Sequence, residues 1–167
     1  SGCLPQRYGE VLEKELPEVD LFVGTGAFQN LPKLLSQRSK QKSFLPKSAF
    51  LYNERTPRIL STPPFIAYLK IAEGCSNACT FCTVPSIRGR FQSRKLRSVL
   101  KEAQRLSDQG VQELILIAQD TTAYGRDLQD GTDIEKLLKS LVKIDGLRWI
   151  RILYSYPKID HFTDGLL

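Results

Sequence analysis

Phe65-Ile66-Ala67-Tyr68-Leu69-Lys70-Ile71-Ala72-Glu73-Gly74-Cys75-Ser76-Asn77-Ala78-Cys79-Thr80-Phe81-Cys82 runs a strand directly into a cysteine loop. The segments after that loop decide the fold. Leu96 to Gln109 carries Val99, Leu100, Ala103 and Leu106 on one helical face, and Gly110 supplies a stop. Leu114-Ile115-Leu116-Ile117-Ala118 is an unbroken apolar run, the pattern of a strand covered on both faces. Thr132-Asp133-Ile134-Glu135 reads as a capping box opening a helix with Ile134, Leu137, Leu138, Leu141 and Val142 on one face, ended near Gly146. Trp149 to Tyr154 is a third strand. Strand, helix, strand, helix, strand predicts a parallel sheet with crossover helices, an α/β fold.

The chain before Phe65 has a different rhythm. Arg7 to Leu16 reads as a short amphipathic helix stopped by Pro17, and Val19 to Val23 as a buried strand closed by Gly24 and Gly26. Leu31 to Gln37 is a second short helix. Ser36 to Ser48 is polar and lacks periodicity, which predicts a linker or exposed loop, and Ala49 to Thr62 a small hairpin or extended crossover before Pro63-Pro64.

Of 167 residues, 24 are Lys or Arg and 18 are Asp or Glu, a net charge of +6. Much of the excess lies between Lys33 and Arg58, where Arg38, Lys40, Lys42, Lys47 and Arg55 also fall and Glu54 is the one acid. Such a stretch can track phosphates. A solvated linker is the favoured reading, because no stacking aromatics are interleaved at regular spacing. Ribosome or RNA contact stays open. No uncharged apolar run approaches the ~20 residues of a membrane helix, and no signal pattern opens the chain, so the expected location is cytoplasmic with no membrane partner. A chain that starts at Ser1 and contains no Met is expected to be a fragment.

Three of the four cysteines form the spacing C-x3-C-x2-C, at Cys75, Cys79 and Cys82. Thiols this dense, without a secretory signal, point to a metal rather than to disulfides. Zinc would want a fourth ligand, and the one histidine, His161, is far along the chain. Three thiolates suit an iron–sulfur cluster with one iron left open for a small molecule. The loop also comes after the first strand of a parallel unit, and ligand sites gather at the carboxyl ends of such strands.

The spacing, with Phe81 before the last cysteine, resembles the radical S-adenosylmethionine (SAM) superfamily. Within it, Glu73-Gly74-Cys75, Cys79 to Pro85, Arg88-Gly89 and Ser93-Arg94 resemble the methylthiotransferases. Gly2-Cys3-Leu4-Pro5-Gln6-Arg7-Tyr8-Gly9, Tyr68 to Gly74, Ala118 to Gly125 and Leu153-Tyr154-Ser155-Tyr156-Pro157 are similar to the RimO-like branch, which modifies an aspartate β-carbon in a small-subunit ribosomal protein. The related branch acting on a tRNA adenosine is the alternative. A non-catalytic zinc or RNA-binding module is the alternative of another class.

The resemblance implies a fold and a site. The fold is the first part of a radical SAM, partial TIM-like βα barrel (64–167), after a linker (46–63) and the tail of an α/β N-terminal domain (1–45). A 4Fe–4S cluster on Cys75, Cys79 and Cys82 would bind SAM at its open iron, with Phe81 beside the adenine. Reductive cleavage of SAM would yield a radical that takes the substrate hydrogen. Gln119 and Asp120, after the second strand, are candidate hydrogen-bonding partners of SAM; loop-capping is the competing role. Arg88 would meet a carboxylate or the cluster's charge, or sit solvated. Cys3 would be one ligand of a second 4Fe–4S cluster whose other ligands lie outside this sequence; by residue type alone it reads as a small buried hydrophobe. The implied partners are the ribosomal protein and an electron donor such as flavodoxin or ferredoxin. A fragment of this kind is not expected to be fully active alone.

Overall fold

The computed structural model describes residues 1–36 and 41–158. Gln37, Arg38, Lys40 and His161, together with the last residues of the expected barrel segment, lie outside them. The chain divides into two compact units. One is Ser1–Phe50 with Gly74–Arg90, and the other is Leu51–Glu73 with the chain from Phe91 onward.

The first unit opens with helix α1 (Cys3–Glu15), whose backbone kinks at Tyr8. It begins four residues before the expected start at Arg7. Pro5 does not oppose the earlier start, because a proline in the first turn sacrifices no helical hydrogen bond. The expected strand from Val19 shrinks to β1 (Phe22–Val23), whose residues are 5% and 1% exposed. After helix α2 (Leu31–Ser36) comes β2 (Ser43–Phe44), parallel to β1. Part of the expected linker is therefore a strand. Phe22 N–H donates to Lys42 O (2.7 Å) and Gly24 N–H to Phe44 O (2.9 Å). Two residues cannot display a period, so the pairing leaves no mark in the pattern. Helix α3 (Val84–Arg88) completes the unit and packs against α1.

The second unit is built on three parallel strands: β3 (Ile66–Lys70), β6 (Glu113–Ile117) and β7 (Trp149–Ile152), in the order β3-β6-β7. A short antiparallel pair, β4 (Ala72–Glu73) and β5 (Gln92–Ser93), flanks the excursion to the cysteine loop. Helix α4 (Leu96–Asp108) links β3 to β6 by way of that excursion, and α5 (Ile134–Leu141) links β6 to β7. The expected parallel α/β unit is present. Ala67 and Leu69 of β3 and Leu114 and Leu116 of β6 share a core with Val99, Ala103, Leu106, Leu137 and Leu141. Each buried Val or Leu side chain among them contributes about 1.5–3 kcal/mol, and each Ala less.

Two expectations change in detail. Asp133, not Thr132, caps α5: its carboxylate accepts Lys136 N–H at 2.7 Å, while Glu135 pairs with Lys139. Thr132 is buried and engaged with Asp130, whose carboxylate accepts its N–H at 3.0 Å and its hydroxyl. Val142 falls just past the helix and is 68% exposed. From Ala49 to Thr62 the extended alternative holds over the hairpin: there is no strand, only extended chain with a turn closed by Thr56 N–H on Asn53 O (3.1 Å).

The outer edge of β3 is sealed by side chains. Phe65 O and Ile71 N–H face β6, so by alternation the carbonyls of Ile66, Tyr68 and Lys70 face the other way. The Thr62 hydroxyl donates to Ile66 O, Arg58 to Tyr68 O (2.8 Å) and Arg94 to Lys70 O (2.7 Å). Glu102 holds both guanidiniums, at 2.8 Å from Arg58 and 2.7 Å from Arg94. Arg94 is 1% exposed, so this carboxylate is what makes its burial tolerable.

Candidate metal centre

Chain order sets the cysteine loop immediately after β4. Within the first unit its base is closed by Cys75 N–H donating to Gly89 O at 3.1 Å. Gly74 sits at φ +76°, and a Cβ there would lie 2.2 Å from Arg90 O. Only glycine fits so close a backbone approach at that angle. A Gly74→Ala protein is therefore expected to lose about 1–3 kcal/mol of stability, measured by urea unfolding; an unchanged midpoint would contradict this account of the loop base.

Cys75 is buried, with Asn77 N–H pointing at its sulfur (3.5 Å). Cys79 and Cys82 stand at the two ends of one turn, closed by Cys82 N–H on Cys79 O (3.1 Å), which brings their α-carbons to turn distance. None of the four cysteines is in a disulfide. Among the described residues no three His, Cys, Asp or Glu side chains are gathered as a metal-ligand set. Thiols have no mutual attraction, and the energy that gathers them comes from the metal bonds. Phe81, at the tip of the turn, is 89% exposed, so it is not a packing aromatic.

The same unit joins Cys3 and Arg88. Cys3 is exposed, which removes its reading as a buried hydrophobe, and Arg88 donates to its sulfur at 3.5 Å. Two more bonds tie α3 into the unit: Arg7 to the Thr83 hydroxyl (3.4 Å) and the Thr25 hydroxyl to Ile87 O (3.0 Å). Spacing gives no sign of a contact that spans 85 residues.

In the second unit Gln119 and Asp120 come directly after β6. Asp120 is 1% exposed and accepts the Thr122 hydroxyl at 2.7 Å. Gln119 Oε1 is buried and has no hydrogen-bond donor among the described residues. Nearby, the buried Tyr124 hydroxyl donates to Arg94 O (2.8 Å), and burial pushes its pKa upward.

A parallel α/β unit that carries a three-cysteine loop after its first strands defines a class, and residues 69–165 match the family model of the radical SAM superfamily. The chain belongs to that superfamily. Among curated proteins it is similar to the ribosomal protein uS12 methylthiotransferase RimO of Geotalea uraniireducens, at 52% identity over all of this chain and 38% of the relative. It is 51% identical to the protein of the same name from Clostridioides difficile, over 95% of this chain and 36% of the relative. The Geobacter sulfurreducens protein of that name is also 51% identical, over 100% of this chain and 38% of the relative. The chain thus spans under two fifths of the length of these relatives. A radical SAM membership carries with it a 4Fe–4S cluster and SAM. Among the described residues no helix is long and apolar enough to cross a membrane.

Proposed function

We propose that this chain is part of a RimO-type methylthiotransferase that adds a methylthio group to the β-carbon of an aspartate in small-subunit ribosomal protein uS12. The observation that carries the reading is the identity of about one half, along the whole chain, to relatives named for that reaction. In this reading 64–167 is the first part of the partial barrel, 46–63 the linker and 1–45 the tail of the N-terminal domain. An electron donor such as flavodoxin or ferredoxin serves it, in the cytoplasm.

The donor chemistry fits the cofactors. Three thiols outside any disulfide, with no fourth protein ligand close in sequence, leave one iron of a 4Fe–4S cluster open. An orphaned buried acceptor, Gln119 Oε1, fits a donor group of SAM. Cys75, Cys79 and Cys82 would hold the first cluster, and Cys3 would be one ligand of the second. The chemistry supplied by the bound groups is one-electron cleavage of SAM and abstraction of a substrate hydrogen. The chain's own part is to hold and orient. Gly74 and Gly89 close the loop base, the exposed Phe81 ring offers a face to the adenine, and Arg88 donates to the Cys3 sulfur. Asp120, tied to Thr122, keeps the segment after β6 in shape.

The test is anaerobic reconstitution with iron and sulfide, EPR with and without SAM, then mass analysis of uS12 and of tRNA after turnover. A 4Fe–4S signal that changes with SAM, and a methylthio mass gain on the ribosomal protein alone, are expected. Gain on tRNA would transfer the chain to the other branch. A colourless, zinc-loaded protein indifferent to SAM would replace the enzyme by a metal-binding module.

A further inference from the structure

Two cavities of the second unit adjoin, sharing Thr56 and Arg58. One, of about 270 Å³, is lined by Tyr52, Tyr68, Ile59, Lys70 and Arg94 among others. The other, of about 280 Å³, is lined by Arg55, Arg58 and Arg105 with Leu60 and Gln109. We propose that this double cavity is a docking surface for single-stranded RNA, with a base in the tyrosine cavity and its flanking phosphates on the arginine cavity. The inference deepens the proposed function by naming a second partner beside the ribosomal protein.

Four observations carry it. First, the lining is net basic: Arg55, Arg58, Lys70, Arg94 and Arg105 line the cavities with one carboxylate, Glu102, which holds Arg58 and Arg94, while Lys70 pairs with Glu73 behind the lining. Second, Glu54 beside the cavities is already engaged: its carboxyl is held below its usual range first by the Ser98 hydroxyl, then by its own backbone N–H, and further by Lys101 and Arg55. Third, two aromatic rings stand in one cavity without being buried, Tyr52 at 38% and Tyr68 at 43% exposure, and Ile59 beside them is 95% exposed. Base stacking on such rings beside a cationic track is how single strands are held without sequence readout. Fourth, Arg94 is 1% exposed, yet its Nε has no acceptor among the described residues. Arg94 is a lining residue of this cavity, and an unmade N–H bond on it fits a base carbonyl or ring nitrogen. Each cavity is smaller than the ~300–1,000 Å³ that encloses a whole small ligand, which suits one unit of a polymer. The long chain separation of Tyr52 from Tyr68 hides the pair from any regular spacing.

The full chain, as purified, is tested by fluorescence anisotropy against a labelled single-stranded RNA, a duplex RNA and a poly-glutamate peptide over a salt series. Neither cluster nor SAM is needed, so failure here leaves the proposed reaction standing, and failure of that reaction leaves this surface standing. The single strand should bind best. Tyr68→Ala should weaken it by about tenfold, within the range for one stacked base, without changing the salt slope. Arg55→Gln, on an exposed loop, should lower the slope by about 0.7. Both variants are checked for an unchanged urea midpoint, and Tyr52→Ala replaces any that fails. Equal binding of duplex and single strand, preference for the acidic peptide, or binding indifferent to all the tyrosine variants would overturn the proposal.

Discussion

A Cys79→Ala protein, reconstituted anaerobically, is expected to give no 5′-deoxyadenosine from SAM. Cys79 and Cys82 close the two ends of one turn, and Cys75 lies four residues before it on the same loop. With two thiolates a four-iron cluster has two irons without protein ligands, and it is lost or labile. Removing a ligand should therefore cost more than the ~10–100-fold typical of an outer-shell partner. The measurement is iron per chain together with 5′-deoxyadenosine formed. Cys3→Ala is the internal comparison: it should leave SAM cleavage in place, because Cys3 belongs to the other proposed cluster. Undiminished 5′-deoxyadenosine from the Cys79→Ala protein would remove the assignment of the loop as cluster ligand.

Glu102→Ala is expected to destabilise the second unit by about 3–5 kcal/mol, since it strands the buried Arg94 charge. Arg94 and Glu102 have side chains 1% and 6% exposed and meet at 2.7 Å. The other ion pair of the same carboxylate is a useful contrast. Arg58 is 29% exposed at the rim, where solvent replaces what is lost, so Arg58→Ala should cost about 1 kcal/mol. Urea unfolding of the two variants decides. Equal midpoints would mean that Arg94 finds compensation elsewhere and that Glu102 is not what supports it.

The sheet and its two crossover helices were legible because their signals are local and periodic. Val99, Ala103 and Leu106 repeat at helical spacing, and Leu114 to Ala118 is one apolar run; both lie in the core of the second unit. Three features were not legible, each for a reason. The β1–β2 pair is held by two residues per strand, below any period. The cap of α5 passed from Thr132 to Asp133 because two oxygen-bearing residues stood side by side, and burial of Thr132 with its bonds to Asp130 separates them. The meeting of Cys3 with Arg88 and the sharing of one cavity by Tyr52 and Tyr68 depend on how the chain folds back. The cysteine loop was legible as chemistry, since its spacing and residue type carry the message before any folding.

The sealed margin of β3 also has a bearing on how this protein associates. An outer strand with exposed carbonyls is a template for strand addition, whether by a neighbouring segment or by another molecule. On β3 the three outward acceptors are already occupied by Thr62, Arg58 and Arg94. The other outer strand, β7, has no such row of side-chain donors among the described residues. Strand addition through the carbonyls of β3, and end-to-end polymerisation by that route, is therefore opposed.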